Sequence, residues 1–303
     1  MTMPNFLIIG AAKSGTTALD HYLKQHPQIY MSPVKELNFF ALEGEDCEKF
    51  KKNFLKNSNY PNFITDIETY CSFFKKVSQE IAIGESSPLY LLHPKASERI
   101  KHYIPKVKII AIIRDPVERA YSDFLFTRSR GSEPITDFHE ALKAEKDRIE
   151  KNYWFRWYYK QRGFYFTQLK RYFDLFDKEQ IKIYLHEDLK SDSLGVVQDI
   201  FQFIGVDDTF IPNTEQKHNV TYVPKNITLN NLIKPSHPIS SRLRSLLPSS
   251  LRQSIKSQLI NFNRKKVTPL LPEIRKQLIE EYREDILQLQ DLIGKDLSKW
   301  LKV

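Results

Sequence analysis

Lys13 lies in the stretch "GAAKSGTT", residues 10–17, between an apolar run and a helix-like segment. A strand, a tight glycine-containing turn and a helix start gather several backbone N–H groups around one point. The helix N-terminus adds positive partial charge, so the arrangement suits a phosphate or a sulfate. Gly10 is expected to permit the turn and Gly15 a close backbone approach, while Thr16 and Thr17 add hydroxyl donors and Lys13 a full charge. The glycines have the separation of the ATP-binding pattern GxxxxGK[ST]. Here, however, Thr16 follows Gly15, and the lysine comes two residues before that glycine. The loop is shaped for an anion but lacks the usual triphosphate and magnesium equipment.

A second group repeats the logic in "VKIIAIIRDPVERAYSDFLF", residues 107–126. Arg114 ends an apolar β-branched run, Asp115 is a good N-cap, and Pro116 is a good first helical residue. Ser122 falls seven residues after Asp115, two helical turns on, so Arg114 and Ser122 can hold a second anion from two sides. Arg114 can equally serve as an ion-pair partner of Asp115 or Glu118. Two anion sites at neighbouring strand ends fit a nucleotide with phosphates at both ends. A P-loop kinase or NTPase is the competing enzyme class, and the displaced lysine argues against it.

These residues need a scaffold, and the pattern around them describes one. Strand candidates are Phe6–Ile9, Ile81–Gly84, Val107–Ile113 and Ile181–Leu185, each apolar enough to be buried on both faces. Between and after them lie helical stretches: Thr16–Gln25, Asp66–Lys76, Pro94–Tyr103, Pro116–Arg128, Phe138–Lys151, Gly163–Phe176 and Ser193–Ile204. The alternation predicts an α/β fold with a central parallel sheet flanked by helices, and ligands at the carboxyl ends of its strands. Residues 1–303 are expected to form one domain, with an α/β core over 1–213 and a basic loop plus helical part over 214–303. In the second part, Ser240–Leu247 and Ser249–Asn261 are candidate short helices. An amphipathic helix follows Pro272, carries Ile274, Leu278, Tyr282 and Leu289 on one face, and stops at Gly294.

The net charge of +9 is concentrated. No Asp or Glu occurs from Gln216 to Pro272, and ten Lys and Arg residues in that stretch exceed the excess of the whole chain. Such a field favours an anionic partner. Residues 239–266 are basic and amphipathic, which is compatible with peripheral contact to an anionic membrane. Nucleic acid is disfavoured, because no zinc, RNP or helix-turn-helix pattern is present. Cys47 and Cys71 form no CxxC pair and read as reduced thiols, and no apolar run resembles a signal peptide or a membrane span, so a cytoplasmic location is expected. The eight histidines show no metal-ligand spacing, so no metal is expected; "HEDL" at 186–189 is not HExxH. Tyr153–Tyr159, with Trp154 and Trp157, offers aromatic faces for a sugar or adenine, although such a run also suits a core.

At this point the sequence resembles the sulfotransferases that use 3′-phosphoadenosine 5′-phosphosulfate (PAPS). "IIGAAKSGTTAL" looks like their 5′-phosphosulfate loop and "IIAIIRDPVERAYSDF" like their 3′-phosphate motif. "KELNFF" and "GESSPLYLLHP" are similar to segments of carbohydrate sulfotransferases of the heparan sulfate type. The resemblance runs over about residues 5–205, and "LIGKDLSKWL" looks like many bacterial members. It implies in-line transfer of a sulfuryl group to a hydroxyl or amine, without a metal. By the same resemblance Lys13 stabilises the leaving 5′-phosphate, Ser14, Gly15, Thr16 and Thr17 wrap it, and Arg114 and Ser122 bind the 3′-phosphate. Glu36 aligns with the base, and partial burial beside Phe39 and Phe40 would raise its pKa.

Arg162 falls where the family has a contact near the 3′-phosphate. Lys217 and Lys225 fall in the expected basic loop, and His218 is a substrate-side candidate with Trp154 and Trp157. One departure concerns Ser86, which stands where the heparan branch has a lysine, so a cation is missing or comes from elsewhere. The acceptor is expected to be a glycan or a small hydroxylated molecule, with tyrosine as an alternative. The sequence leaves the oligomeric state open.

Overall fold

The computed structural model describes residues 2–47, 64–215, 223–224, 258–259, 262–265 and 268–303. Five parallel strands form the central sheet: β1 (Phe6–Gly10), β2 (Ile29–Met31), β3 (Ala82–Ser86), β4 (Lys108–Ile113) and β5 (Ile181–Leu185). Their order across the sheet is β2-β3-β1-β4-β5. β1 is therefore central, with Leu7 opposite Glu85 on β3 and opposite Ile109 on β4. The four expected strands are present with small boundary changes. β2 is an addition: a three-residue edge strand is too short to carry a visible pattern.

The helices of the core are α1 (Thr16–Leu23), α2 (Phe39–Leu42), α3 (Ile67–Ser72), α4 (Leu89–Leu92), α5 (Ala96–Tyr103) and α6 (Pro116–Ser129), then α7 (Phe138–Lys143), α8 (Glu145–Glu150), α9 (Tyr165–Phe173), α10 (His186–Ser191) and α11 (Ser193–Ile204). The single helix expected over 138–151 is two, joined at Ala144. The break lets Glu145 turn inward, where its carboxylate accepts the N–H groups of Lys160 and Gln161 at 2.7 Å each. A last helix, α12 (Pro272–Ile293), ends where Gly294 takes a left-handed φ of 64°. The expected helices Ser240–Leu247 and Ser249–Asn261 lie outside the described residues, apart from positions 258–259.

Alternation along the strands divides the core into two layers. Leu7, Ile9, Ile109, Ala111 and Ile113 face the side covered by α2, α6, α9 and α12. Phe6, Ile8, Ile110 and Ile112 face the side covered by α1 and α11. Burial on both faces explains why β1 and β4 read as unbroken apolar runs. α12 packs against α9 and the chain before it: Asp285 accepts the Phe166 N–H at 3.1 Å, and the Tyr282 hydroxyl donates to the Lys160 carbonyl at 2.9 Å. Cys47 and Cys71 are buried thiols that are not joined in a disulfide. Among the described residues no helix is long and apolar enough to cross a membrane.

Candidate functional site

The carboxyl ends of β3, β1, β4 and β5 open into a cleft of about 790 Å³. Its floor is the loop between β1 and α1. The two glycines of this loop do each other's expected work. Gly15 takes the left-handed conformation (φ 112°), and a Cβ there would also stand 2.9 Å from Leu189. Gly10 provides the close approach: a Cβ on it would lie 2.7 Å from the Leu91 Cβ of α4. Lys13 also has a positive φ, 68°, a conformation that costs a non-glycine residue about 1 kcal/mol or more. Because Gly15 caps α1 without a side chain, the first N–H groups of the helix are directed at the loop, with no side-chain cap among the described residues. Ser14 Oγ is buried near the Tyr165 hydroxyl, with no hydrogen bond of ordinary length among the described residues. Free amides, a buried hydroxyl and a lysine at one point fit an anion of phosphate type.

The charges around Lys13 reinforce this. Its Nζ sits 3.8 Å from the centre of the Phe126 ring. Burial pushes its pKa down to about 8; Asp123 opposes the shift, while Arg114, Arg130 and Arg162 add to it. Four cationic side chains thus meet in one half-buried space, a cluster that an anionic ligand relieves.

Arg114 leaves the end of β4, and Asp115 caps α6 by accepting the N–H groups of Val117 at 2.8 Å and Glu118 at 3.2 Å. Burial pushes the Asp115 carboxyl up to about 6, with Arg275 opposing. Arg114 and Ser122 both line the cleft, as their spacing predicts. The ion pair weighed as an alternative also forms, with Arg114 Nη2 3.3 Å from Glu118 Oε2. Glu118 in turn meets Arg275 of α12, whose other nitrogen stands 3.7 Å from Asp115 Oδ2. Arg162 lines the cleft and donates to Asp123 Oδ2 at 2.9 Å, an oxygen it shares with the fully buried Arg119 at 3.0 Å.

Glu36 lines the cleft on the β3 side. The burial expected beside it is absent: its side chain is 52% exposed, and Phe39 and Phe40 turn into the core against Tyr70. Its backbone has φ 63°, and Asn38 follows at 58°. Lys35 Nζ lies 3.7 Å from Glu36 Oε1 and donates to Thr16 Oγ1 at 3.2 Å and Thr17 Oγ1 at 3.4 Å. A cation therefore stands between the loop hydroxyls and Glu36.

The two tryptophans separate. Trp154 lines the cleft, whereas Trp157 is 2% exposed and donates its indole N–H to the Ser132 carbonyl at 3.1 Å, a core role. Lys217, His218 and Lys225 lie outside the described residues. Several residues escaped the sequence reading. Phe126 and Arg130 extend the Ser122 face of α6 at i+4 and i+8, a period that the sequence does carry. His186, at the end of β5, lines the cleft with its Nδ1 2.8 Å from the Ser14 carbonyl. A carbonyl only accepts, so Nδ1 carries the proton. Burial, with Arg114, lowers the His186 pKa, leaving a neutral ring that braces the loop. Among the described residues no group of His, Cys, Asp and Glu is placed to hold a metal ion.

Comparison with known proteins bears on this arrangement. Residues 3–259 match the family model described as a sulfotransferase domain. A sulfotransferase crystal structure from Alicyclobacillus acidocaldarius is 30% identical, with a TM-score of 0.74 and 100% of each chain covered. The membrane-associated sulfotransferase kil1 of Dictyostelium discoideum is 34% identical over 158 residues, which are 50% of this chain and 30% of that protein. The bifunctional heparan sulfate N-deacetylase/N-sulfotransferase 4 of Mus musculus is 27% identical over 317 aligned residues, 99% of this chain and 31% of its own length. The chain thus spans about a third of the length of these curated relatives.

Proposed function

The chain belongs to the sulfotransferase family, and from that premise we propose that it moves the sulfuryl group of PAPS to a hydroxyl or amine of a carbohydrate, with Glu36 as the base. The observation that carries this is the convergence of Lys13, Arg114, Ser122 and Glu36 on one cleft, around a loop with free amides. The donor supplies an activated sulfuryl group on its 5′-phosphate and departs as adenosine 3′,5′-bisphosphate. Everything else is positioning and charge.

Ser14, Gly15, Thr16 and Thr17 hold the 5′-phosphate through backbone and hydroxyl donors, and Lys13 neutralises the charge left on it when the S–O bond breaks. Arg114 and Ser122 hold the 3′-phosphate, with Arg162 beside them fixed by Asp123. Glu36 takes the proton of the attacking acceptor group. Lys35, against Thr16 and Thr17, supplies on the base side the cation that Ser86 does not. Trp154 gives the acceptor an aromatic wall. A carbohydrate acceptor is supported by the heparan sulfate enzymes among the relatives.

Titration calorimetry tests the donor: adenosine 3′,5′-bisphosphate should bind more tightly than ATP with magnesium, and Arg114→Ala should remove most of that preference. Equal or tighter ATP binding sinks it. For the base, Glu36→Gln should lower kcat by about 10²- to 10³-fold while leaving nucleotide affinity unchanged. An acceptor array with ³⁵S-labelled PAPS tests the rest, and labelling of tyrosine peptides or small alcohols in place of glycans overturns the carbohydrate assignment.

A further inference from the structure

Glu85 is fully buried at the end of β3, and among the described residues no basic side chain hydrogen-bonds it. Its Oε1 accepts the hydroxyls of Tyr70, at 3.2 Å, and of Tyr90; its Oε2 accepts the Ser87 hydroxyl at 2.7 Å. A carboxyl group sunk in a core is expensive, and nothing in sheet formation calls for it here. What it holds gives it a purpose.

Ser87 Oγ donates to Glu85 and accepts the backbone N–H of Asn38 at 3.1 Å. Asn38 Nδ2 donates to the Glu36 carbonyl at 2.9 Å, and the Glu36 N–H donates to the Ser86 carbonyl at 3.0 Å. Both peptide groups of Glu36 are thereby tied to the end of β3. The tie matters because Glu36 and Asn38 are held in left-handed conformations, φ 63° and 58°, that an unsupported loop leaves readily. Acceptance by Glu85 also fixes which way the Ser87 hydroxyl points. Its hydrogen lies toward Glu85 Oε2, which leaves a lone pair for Asn38. A serine without that partner is free to rotate and compete with the loop amide.

We infer that Glu85 is a positioning residue for the reaction, acting through Ser87 and Asn38 to hold Glu36 in its orientation over the cleft. This rests on the assignment of Glu36 as base, and it concerns the acceptor side only. The hydrogen-bond partners of Glu85, Tyr70, Ser87 and Tyr90, belong neither to the loop of Lys13 nor to the pair Arg114 and Ser122. Its loss therefore lowers kcat and spares the donor site, whereas a general loosening of the fold would damage both.

A double-mutant cycle tests this on the whole chain. Ser87→Ala removes the relay and leaves the core volume nearly unchanged. It should lower kcat about tenfold, with KM for PAPS and the Kd of adenosine 3′,5′-bisphosphate changed less than about twofold, since small misplacements of a reacting group are costly. In a Glu36→Gln background the same substitution should alter kcat less than about twofold, because the group it positions is gone. Glu85→Gln, checked for folding by its nucleotide affinity, should reproduce the Ser87→Ala loss. Equal losses from Ser87→Ala in both backgrounds, or a wild-type kcat in Ser87→Ala or in nucleotide-competent Glu85→Gln, overturn the inference while leaving Glu36 as base. Wild-type turnover in Glu36→Gln alone removes the base assignment and the inference with it.

Discussion

Raising the pH should weaken nucleotide binding in a way that reports on Lys13. Burial, aided by Arg114, Arg130 and Arg162, brings its pKa from 10.5 down to about 8 in the ligand-free cleft. A phosphate seated beside it reverses the shift, because an opposite charge favours the ammonium form. Above about pH 8 the free protein must therefore take up a proton when it binds. With the bound value restored to 10.5 or higher, the apparent Kd rises about tenfold between about pH 7 and about pH 9, and by about another decade to pH 10. Calorimetry with adenosine 3′,5′-bisphosphate, in two buffers of different ionisation enthalpy, reads both the affinity and the proton count. Uptake should approach one proton per site near pH 9. Lys13→Arg, charged throughout this range, should flatten both curves. Affinity that stays level without proton uptake, or the same slope in Lys13→Arg, refutes the placement of Lys13 against the phosphate.

Two other expectations concern carboxylates. Glu118 stands 3.3 Å from Arg114 and also pairs with Arg275, so Arg114 must exchange a carboxylate for a phosphate on binding. Glu118→Gln should tighten nucleotide binding about two- to fivefold, the range of a partly exposed pair, and calorimetry showing weaker binding would mean that Glu118 steadies Arg114 instead. Glu85 bears on stability: burial raises its carboxyl from 4.5 to about 7 against its three hydroxyl donors. The native state then holds a proton that the unfolded chain has lost, so this residue makes stability fall as pH rises from about 4.5 to 7. Glu85→Gln should lose that part of the Tm–pH curve, and an unchanged curve counts against a Glu85 that holds a proton in the native state.

What the sequence revealed was local. Asp115 and Pro116 announce the start of α6 because a cap and a first-turn proline act within three residues. The Lys13 loop and the Arg114–Ser122 pair could be placed for the same reason, each being one strand end and the helix after it. Glu85 was invisible because Tyr70 lies 15 residues before it, and nothing in "GESSPLY" shows that the two tyrosines converge on its carboxylate. Glu36 was misjudged through its neighbours. Phe39 and Phe40 are adjacent in sequence, but α2 rotates them into the core, where they leave Glu36 in the solvent. His186 needed the β4–β5 pairing, Ile113 opposite Leu185, before its ring could be seen to reach Ser14.

The strand order has one more consequence. β3, β1 and β4 are consecutive in the sheet, and parallel neighbours lie about 4.8 Å apart, so the supports of Glu36 and of Arg114 are about 10 Å apart on either side of the shared Lys13 loop. On the proposed assignment, recognition of the donor falls to one flank and treatment of the acceptor to the other. Substitutions on the β3 flank can then change what is sulfated without altering what does the sulfating. On that assignment the two sides of the reaction are divided across the sheet.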